Sequence, residues 1–317
     1  MVSEERGQVC RPFDELDRRL ITALTGNIRR SAHDIASELQ ISSATVKRRI
    51  ERLRQDRLIS LSPVVDLHAA GYEYLMIIGV KVGNQSPFCV ASAIAELPQA
   101  LTVNIVLGHF DIEVVAAVKN REEVAGLLTH TLSLIPGVAS LSPALALDIW
   151  KFQSSCPPEM VGLARASKKI LDTLDLEIIS SLNTNPRASN RAIATQLDVS
   201  ESAIRVRIKR MQDEKQISLS TVHNLQNGLA EAAFVGISAQ GDKITTVCRA
   251  LAEVPEVSFA CTTLGRHDII CCVDMVSLEG LTEVLHGAIA NIDGVKSVET
   301  SHCMKQIKHQ ALLGLIL

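Results

Sequence analysis

The chain has 317 residues, 47% hydrophobic and 21% charged, which excludes a disordered polymer and leaves room for two or more domains with real cores. Aromatics make up only 3%, so those cores must be aliphatic. A net charge of −3 and a pI near 6.3 do not point to nucleic acid as a partner of the chain as a whole, but averages hide polarity along it.

Met1–Pro12 is polar and has no apolar core, so it reads as a loose arm and not a targeting segment. Asp14-Glu-Leu-Asp17 then opens a helix, with Asp14 as its cap and Leu16, Leu20, Ile21 and Leu24 as its stripe; Asn27 ends it. A second helix runs from Ala32 to Leu39. Gln40-Ile41-Ser42 is a tight turn into a third helix, and Ser42 stands where an N-cap belongs. In that third helix Val46, Ile50 and Leu53 share one face. Thr45, Arg48 and Arg52 point the other way with Ala44 beside them, and Lys47, Arg49 and Arg54 lie on the flanks. Between Ser43 and Leu58 six basic residues face two acids. Three helices with a short turn before a basic third one form a helix-turn-helix, although a basic face can also simply be solvated. Ile59–Val65 reads as a wing strand.

The next stretch changes character. Apolar strands are expected at Tyr74–Val82, Leu101–Leu107, Ile112–Val118 and Val138–Ile149, with helices at Phe88–Glu96 and Glu122–Leu134. The order β-α-β-β-α-β is that of a ferredoxin-like plait. Lys151–Lys169 reads as a linker, after which the sequence repeats. At an offset of 158, Leu16-Asp17 pairs with Leu174-Asp175, Asn27-x-Arg29-x-Ser31 with Asn185-x-Arg187-x-Ser189, Arg49-Ile50 with Arg207-Ile208, and Ile59–Ser62 with Ile217–Ser220. In the plait the offset is 157, pairing Gly79 with Gly236, Pro98 with Pro255, Gly108 with Gly265 and Asp111 with Asp268. This is a tandem duplication. The fold class is therefore α+β, with two winged helix-turn-helix domains (13–66 and 170–224) alternating with two plaits (72–150 and 230–310) around a linker at 151–169. The net charge is +3 over residues 14–62, −4 over 72–150, zero over 172–220 and −4 over 221–317, so the first helical domain is the one most attracted to phosphate.

A helix-turn-helix carrying L-D, N-x-R, I-A and R-I at these spacings, followed at once by a plait with a G-x-x-D turn, resembles the Lrp/AsnC (feast/famine) family of transcription regulators. The resemblance covers nearly the whole chain, as two fused units. It implies DNA-binding heads, plait (RAM) domains that dimerise through their sheets, homo-oligomers, and a small effector, typically an amino acid. The recognition-helix positions it implies are Ser43, Thr45, Lys47, Arg48, Arg49 and Arg52, and in the second unit Ser202, Ala203, Arg205, Val206, Arg207 and Arg210. The effector turns map to Gly108, His109 and Asp111, and to Gly265, Arg266 and Asp268. Two departures stand out. Arg57 and Lys215 occupy the place past the recognition helix where the family tends to have Gly, so that turn is expected to be built differently. Val206 and Ala203 replace Arg48 and Thr45, so the second head is expected to bind DNA more weakly.

Arg48 and Arg52 suit base edges, and Lys47, Arg49 and Arg54 suit phosphates. The competing assignment pairs some of these arginines, Arg49 and Arg207 above all, with Glu51 or Asp56, or packs them on the plait. In the turns, Asp111 and Asp268 either accept from a ligand amine or satisfy local backbone. His267, Cys271, Cys272, His302 and Cys303 have poor metal-ligand spacing, and the eight cysteines, with no C-x-x-C pair, read as packed free thiols of a reducing cytoplasm. No metal, cofactor or membrane is called for, and no residue pattern demands catalysis. The sequence therefore points to a cytoplasmic regulator that binds double-stranded DNA and a small effector. The rivals are an enzyme like the sirohaem decarboxylases, which resemble the same family, and a scaffold that does not bind DNA.

Overall fold

The computed structural model describes residues 14–24, 30–56, 59–152, 170–186, 188–223, 231–275, 277–309 and 313–314. The sequence expectations for the N-terminal arm, for Asn27, Arg29, Arg57 and Arg187, and for the linker from 153 onward lie outside these residues.

Each half begins with three helices: α1 (Glu15–Leu24), α2 (Ala32–Leu39) and α3 (Ser43–Gln55) in the first, α6 (Thr173–Thr184), α7 (Asn190–Leu197) and α8 (Glu201–Asp213) in the second. Serine hydroxyls cap four of them. Ser31 and Ser42 accept from the N–H of Asp34 and Thr45, and Ser189 and Ser200 from those of Ala192 and Ala203. Gln40 and Asp198 turn the chain in the left-handed conformation. Lys215 also adopts it, with φ of 54°, so the turn after α8 is made in the ordinary way despite the missing glycine. The wings β1 (Ile59–Asp66) and β6 (Ile217–His223) pair antiparallel with each other, and β11 (Leu313–Gly314) adds in parallel to β1. The two heads share one buried core, in which Leu20, Leu24 and Val46 of the first join Ile178, Leu182 and Ile204 of the second.

The first plait comprises β2 (Tyr74–Val82), α4 (Pro87–Ala95), β3 (Ala100–Leu107), β4 (Ile112–Val118), α5 (Arg121–Gly126) and β5 (Val138–Phe152). Helix α5 continues as a π turn and a 3-10 turn to Leu134. The second plait comprises β7 (Glu231–Ala239), α9 (Ile244–Glu253), β8 (Val257–Leu264), β9 (Ile269–Met275), α10 (Leu278–Glu283) and β10 (Val295–His309). Alternation sorts each strand: Ile78, Val80, Ile112 and Val114 pack under the helices, while Ile77, Gly79 and Glu113 face the other plait.

The two four-stranded sheets close on each other into an eight-stranded barrel of order β10-β3-β4-β2-β5-β8-β9-β7. Closure comes from the long last strands, since β5 pairs with β8 and β10 with β3. Lys151 and Phe152 belong to this pairing, opposite Ala260 and Phe259, and not to the linker expected to begin at 151. The duplicated halves thus pair within one chain. Lys151 reaches across to donate to the carbonyl of Val254 at the end of α9 (2.5 Å), and its counterpart Lys308 does the same to Leu97 past α4 (2.8 Å). Each is a cation at a helix C-terminus.

Gly108 marks how closely the plaits approach. A Cβ there would lie 2.6 Å from the backbone oxygen of Thr300 on β10, which cannot move away. Gly108→Ala is expected to lower stability by about 2 kcal/mol or more through overpacking. Gly126→Ala, where a Cβ meets nothing within 4 Å, should be neutral or stabilising by up to ~1 kcal/mol. Urea denaturation of the two variants checks the contrast.

Candidate nucleic-acid interface and interplait cleft

The recognition helices α3 and α8 present two kinds of basic residue. Lys47 and Arg48 are exposed, as are Arg205 and Ser202 in the second head; Ser43 and Thr45 are half-buried at the helix start. The Thr45 hydroxyl bonds that of Ser42 at 2.9 Å. Val206 is 63% exposed where the first head has Arg48, so the outward face of α8 carries an apolar patch in place of a cation.

Arg49 and Arg52 are placed differently from the other basic residues. Arg49 donates to Asp14 (2.5 Å) and Asp17 (2.8 Å), and Arg52 pairs with the second oxygen of Asp17, which is fully buried. The second head copies this: Arg207 donates to Asp172 and Asp175, and Arg210 to Asp175. Of the two assignments open in the sequence, the structural one describes these four arginines. Their buried partners are acids at the start of the first helix of each head; Arg210 also lies 3.9 Å from Glu214, the counterpart of Asp56, and Arg54 lies 3.4 Å from Glu51. The pairs clamp α3 onto α1 and α8 onto α6. The Arg49 guanidinium holds the Asp14 carboxyl below its ordinary range, and Arg207 does so for Asp172. In the sequence, Asp14 and Asp17 suit a helix start and Leu16-Asp17 recurs as Leu174-Asp175; that recurrence was the available signal for the clamp.

The G-x-x-D turns lie where the two plaits meet. Asp111 accepts from the N–H of Val82 (2.8 Å), and Asp268 from that of Ala239 (2.9 Å), so both carboxylates lock their turns to the neighbouring strand. His109 and Arg266, equivalent positions in the two halves, come together: Arg266 donates to His109 Nε2 (2.8 Å) and to Glu299 (2.8 Å). Gly79 and Gly236 leave space for the rings of Phe110 and His267, since a Cβ would lie 2.4 and 2.3 Å from them.

Inside the barrel these turns border a cleft of about 430 Å³ counted with its open mouth; its enclosed part has room for one or two waters. Glu113, Glu299, Ser142, Ser301, Arg266 and His267 supply its polar groups, and Ile77, Phe110, Phe234 and Ile270 its apolar walls. Glu113 is 6% exposed. Burial pushes its carboxyl up to about 8, against a hydrogen bond from Ser301 that lowers it and the nearby Glu299 charge that raises it further. Burial likewise pulls His267 below the ordinary histidine range. The sequence analysis missed Glu113, although a lone acid in the run Ile112–Val118 was a signal. Cys248, Cys261 and Cys271 are buried free thiols with raised pKa values, and the described residues contain no group of three or more side chains suited to a metal.

A tandem pair of helix-turn-helix heads on a plait pair closed within one chain is the architecture these features define. The AsnC-type helix-turn-helix domain matches residues 13–54 and 171–212, and the Lrp/AsnC ligand binding domain matches 232–313. The chain belongs to the Lrp/AsnC family. An uncharacterized HTH-type transcriptional regulator of Pyrococcus abyssi is 32% identical over 144 residues, spanning 45% of this chain and 91% of that protein. One from Pyrococcus furiosus is 34% identical over 134 residues, spanning 42% and 90%. Over the whole length the chain is similar in fold to the siroheme decarboxylase NirDL, with a TM-score of 0.63 at 16% identity, covering 94% of this chain and 93% of that one.

Two outcomes follow from the clamp and the buried acid. Asp17→Ala strands two arginines and is expected to cost about 3 kcal/mol, while Arg48→Ala leaves stability unchanged; chemical denaturation reads both. For Glu113, the folded form holds its proton up to about pH 8 and the unfolded form only to about 4.5. The resulting stability is complete below pH 4.5 and is lost as pH rises to 8. Melting curves of Glu113→Gln should therefore match the parent at pH 4.5 and exceed it by a growing margin up to pH 8–9.

Proposed function

We propose that the protein is a transcription regulator that binds double-stranded DNA mainly through its first head and responds to a small effector. The observation that carries this reading is the division of labour on α3. Arg49 and Arg52 are tied into the head by the clamp, and Lys47 on the flank and Arg48 opposite the buried stripe are left exposed. In this reading Ser43, Thr45, Lys47 and Arg48 approach the groove, Arg49 and Arg52 orient the helix, and Ser202 and Arg205 make the weaker contacts of the second head with Arg207 and Arg210 as its supports.

The effector is an amino acid or related metabolite received at the plait pair. Gly108 and Gly265 give close approach, His109 and Arg266 line the junction, and Asp111 and Asp268 hold the turns. The plaits also carry a homo-oligomer. Two equivalent pairs of exposed side chains, Leu107 with Met304 and Leu264 with Leu147, support it: each is 58–68% exposed, and the two pairs occupy matching places in the halves.

The fold likeness to a decarboxylase favours one other reading, an enzyme acting on a tetrapyrrole. The small enclosed part of the cleft, with room for one or two waters, weighs against it. A Soret band in the purified protein would support the enzyme.

Binding to the DNA upstream of its own gene, titrated at several salt concentrations, tests the regulator. Lys47→Ala/Arg48→Ala should weaken binding by at least about tenfold and reduce the salt slope by about 2. Arg205→Ala should cost less. Equal losses would mean that both heads read DNA alike, and salt-insensitive or absent binding would sink the reading.

A further inference from the structure

The interplait cleft departs from the pseudo-twofold symmetry around it. Glu113 corresponds to Ile270, Ser301 to Ala144, Glu299 to Ser142, and His267 to Phe110, at the constant offset of 157. A symmetric dimer of single units would carry each group twice. Here Glu113 from β4, Glu299 and Ser301 from β10 and His267 from the β8–β9 turn line one space together with their counterparts Ile270, Ser142, Ala144 and Phe110.

No cation in this space is left to meet an ionised Glu113. The Arg266 guanidinium already bonds Glu299 and His109. Glu113 has a neutral hydroxyl, Ser301, as its hydrogen-bond partner, and an ionised carboxylate buried this way is costly until a cation meets it. The other groups near it are Asn104, its cross-strand neighbour on β3, Cys272 on β9, and His267 in the β8–β9 turn, which itself lies 3.6 Å from Glu299; none is a free cation. The Nδ1 of His267 is buried with no hydrogen-bond partner.

We propose that this cleft binds one small primary ammonium compound per chain, its ammonium group on Glu113 beside Glu299 and its short apolar tail against Ile77, Phe110, Phe234 and Ile270. An ammonium head is the size of a water, which the enclosed part of the cleft accommodates. Its donors meet the Glu113 carboxylate and the free lone pairs of Glu299, and its tail runs along the apolar walls toward the mouth. A carboxylate finds no unengaged cation there. The proposal deepens the effector reading and rests on it only for the site's regulatory role.

Because the unliganded Glu113 holds its proton at neutral pH, the ammonium displaces that proton to solvent as it binds, and the ligand's own protons stay in place. The test is calorimetric titration of the full chain, without DNA, with n-butylammonium and benzylammonium, using butanol, benzyl alcohol and benzoate as matched controls. The expected result is one site per chain for the amines, affinity rising about tenfold from pH 6 to pH 7, release of close to one proton seen by comparing two buffers, and no binding of the controls. Glu113→Gln, checked for folding by its melting curve, should lose both the affinity and the proton release. Failure of both amines to bind at pH 8, equal binding by the alcohols, or undiminished binding by Glu113→Gln would each overturn the proposal. Since DNA is absent from the experiment, these results stand apart from the outcome of the DNA titration.

Discussion

The pairing of β5 with β8 and of β10 with β3 governs the architecture of this protein. A single plait has its strands in the order β5-β2-β4-β3, with unpaired backbone groups along both outer strands. Each half satisfies the other's edges, so the barrel exists only when both are present. Closure also sets the place of everything functional. It brings the two G-x-x-D turns together, puts Gly108 against Thr300, and encloses the cleft around Glu113. At the other end of the chain's pattern the wings β1 and β6 repeat the same solution, and the two heads become a unit with one core.

Comparing the halves separates what builds the fold from what fills the cleft. The aspartate–arginine clamps occur twice with nearly the same geometry, as do the lysines on β5 and β10 that cross to the opposite helix. The serine caps recur as well. The cleft residues do not recur: Glu113, Ser301, Glu299 and His267 each face an apolar or smaller counterpart. The outward side of the recognition helices is also unequal, with Arg48 answered by Val206. Duplication within one chain removes the requirement, inherent in a homodimer, that every substitution appear on both sides.

Much of this could be read from the amino acids. The stripe Val46-Ile50-Leu53, the cap at Ser42 and the order of the plait elements rest on local periodicity, which a sequence displays directly. The repeat offset announced two equivalent halves. Long-range pairing was not legible. Nothing near Arg52 in the sequence indicates Asp17, 35 residues away, and a basic residue on a helix has the same letter whether it faces a groove or a buried carboxylate. The position of β5 beyond Ile149 was missed because its partner lies in the other half. Lys215 shows a further limit: burial of Gln216 and the wing beyond it holds a lysine in a conformation that its own preference disfavours.

The crossed strands also shape how the chain reaches this state. The first half leaves the ribosome with β3 and β5 open, and each is a template for any strand of compatible pattern. Two such nascent halves from different chains could pair as readily as the two halves of one. The covalent connection decides between them kinetically. A tethered partner arrives at an effective concentration far above that of a neighbouring nascent chain. Covalent continuity of the two halves is therefore a guard against their exchange between molecules during synthesis.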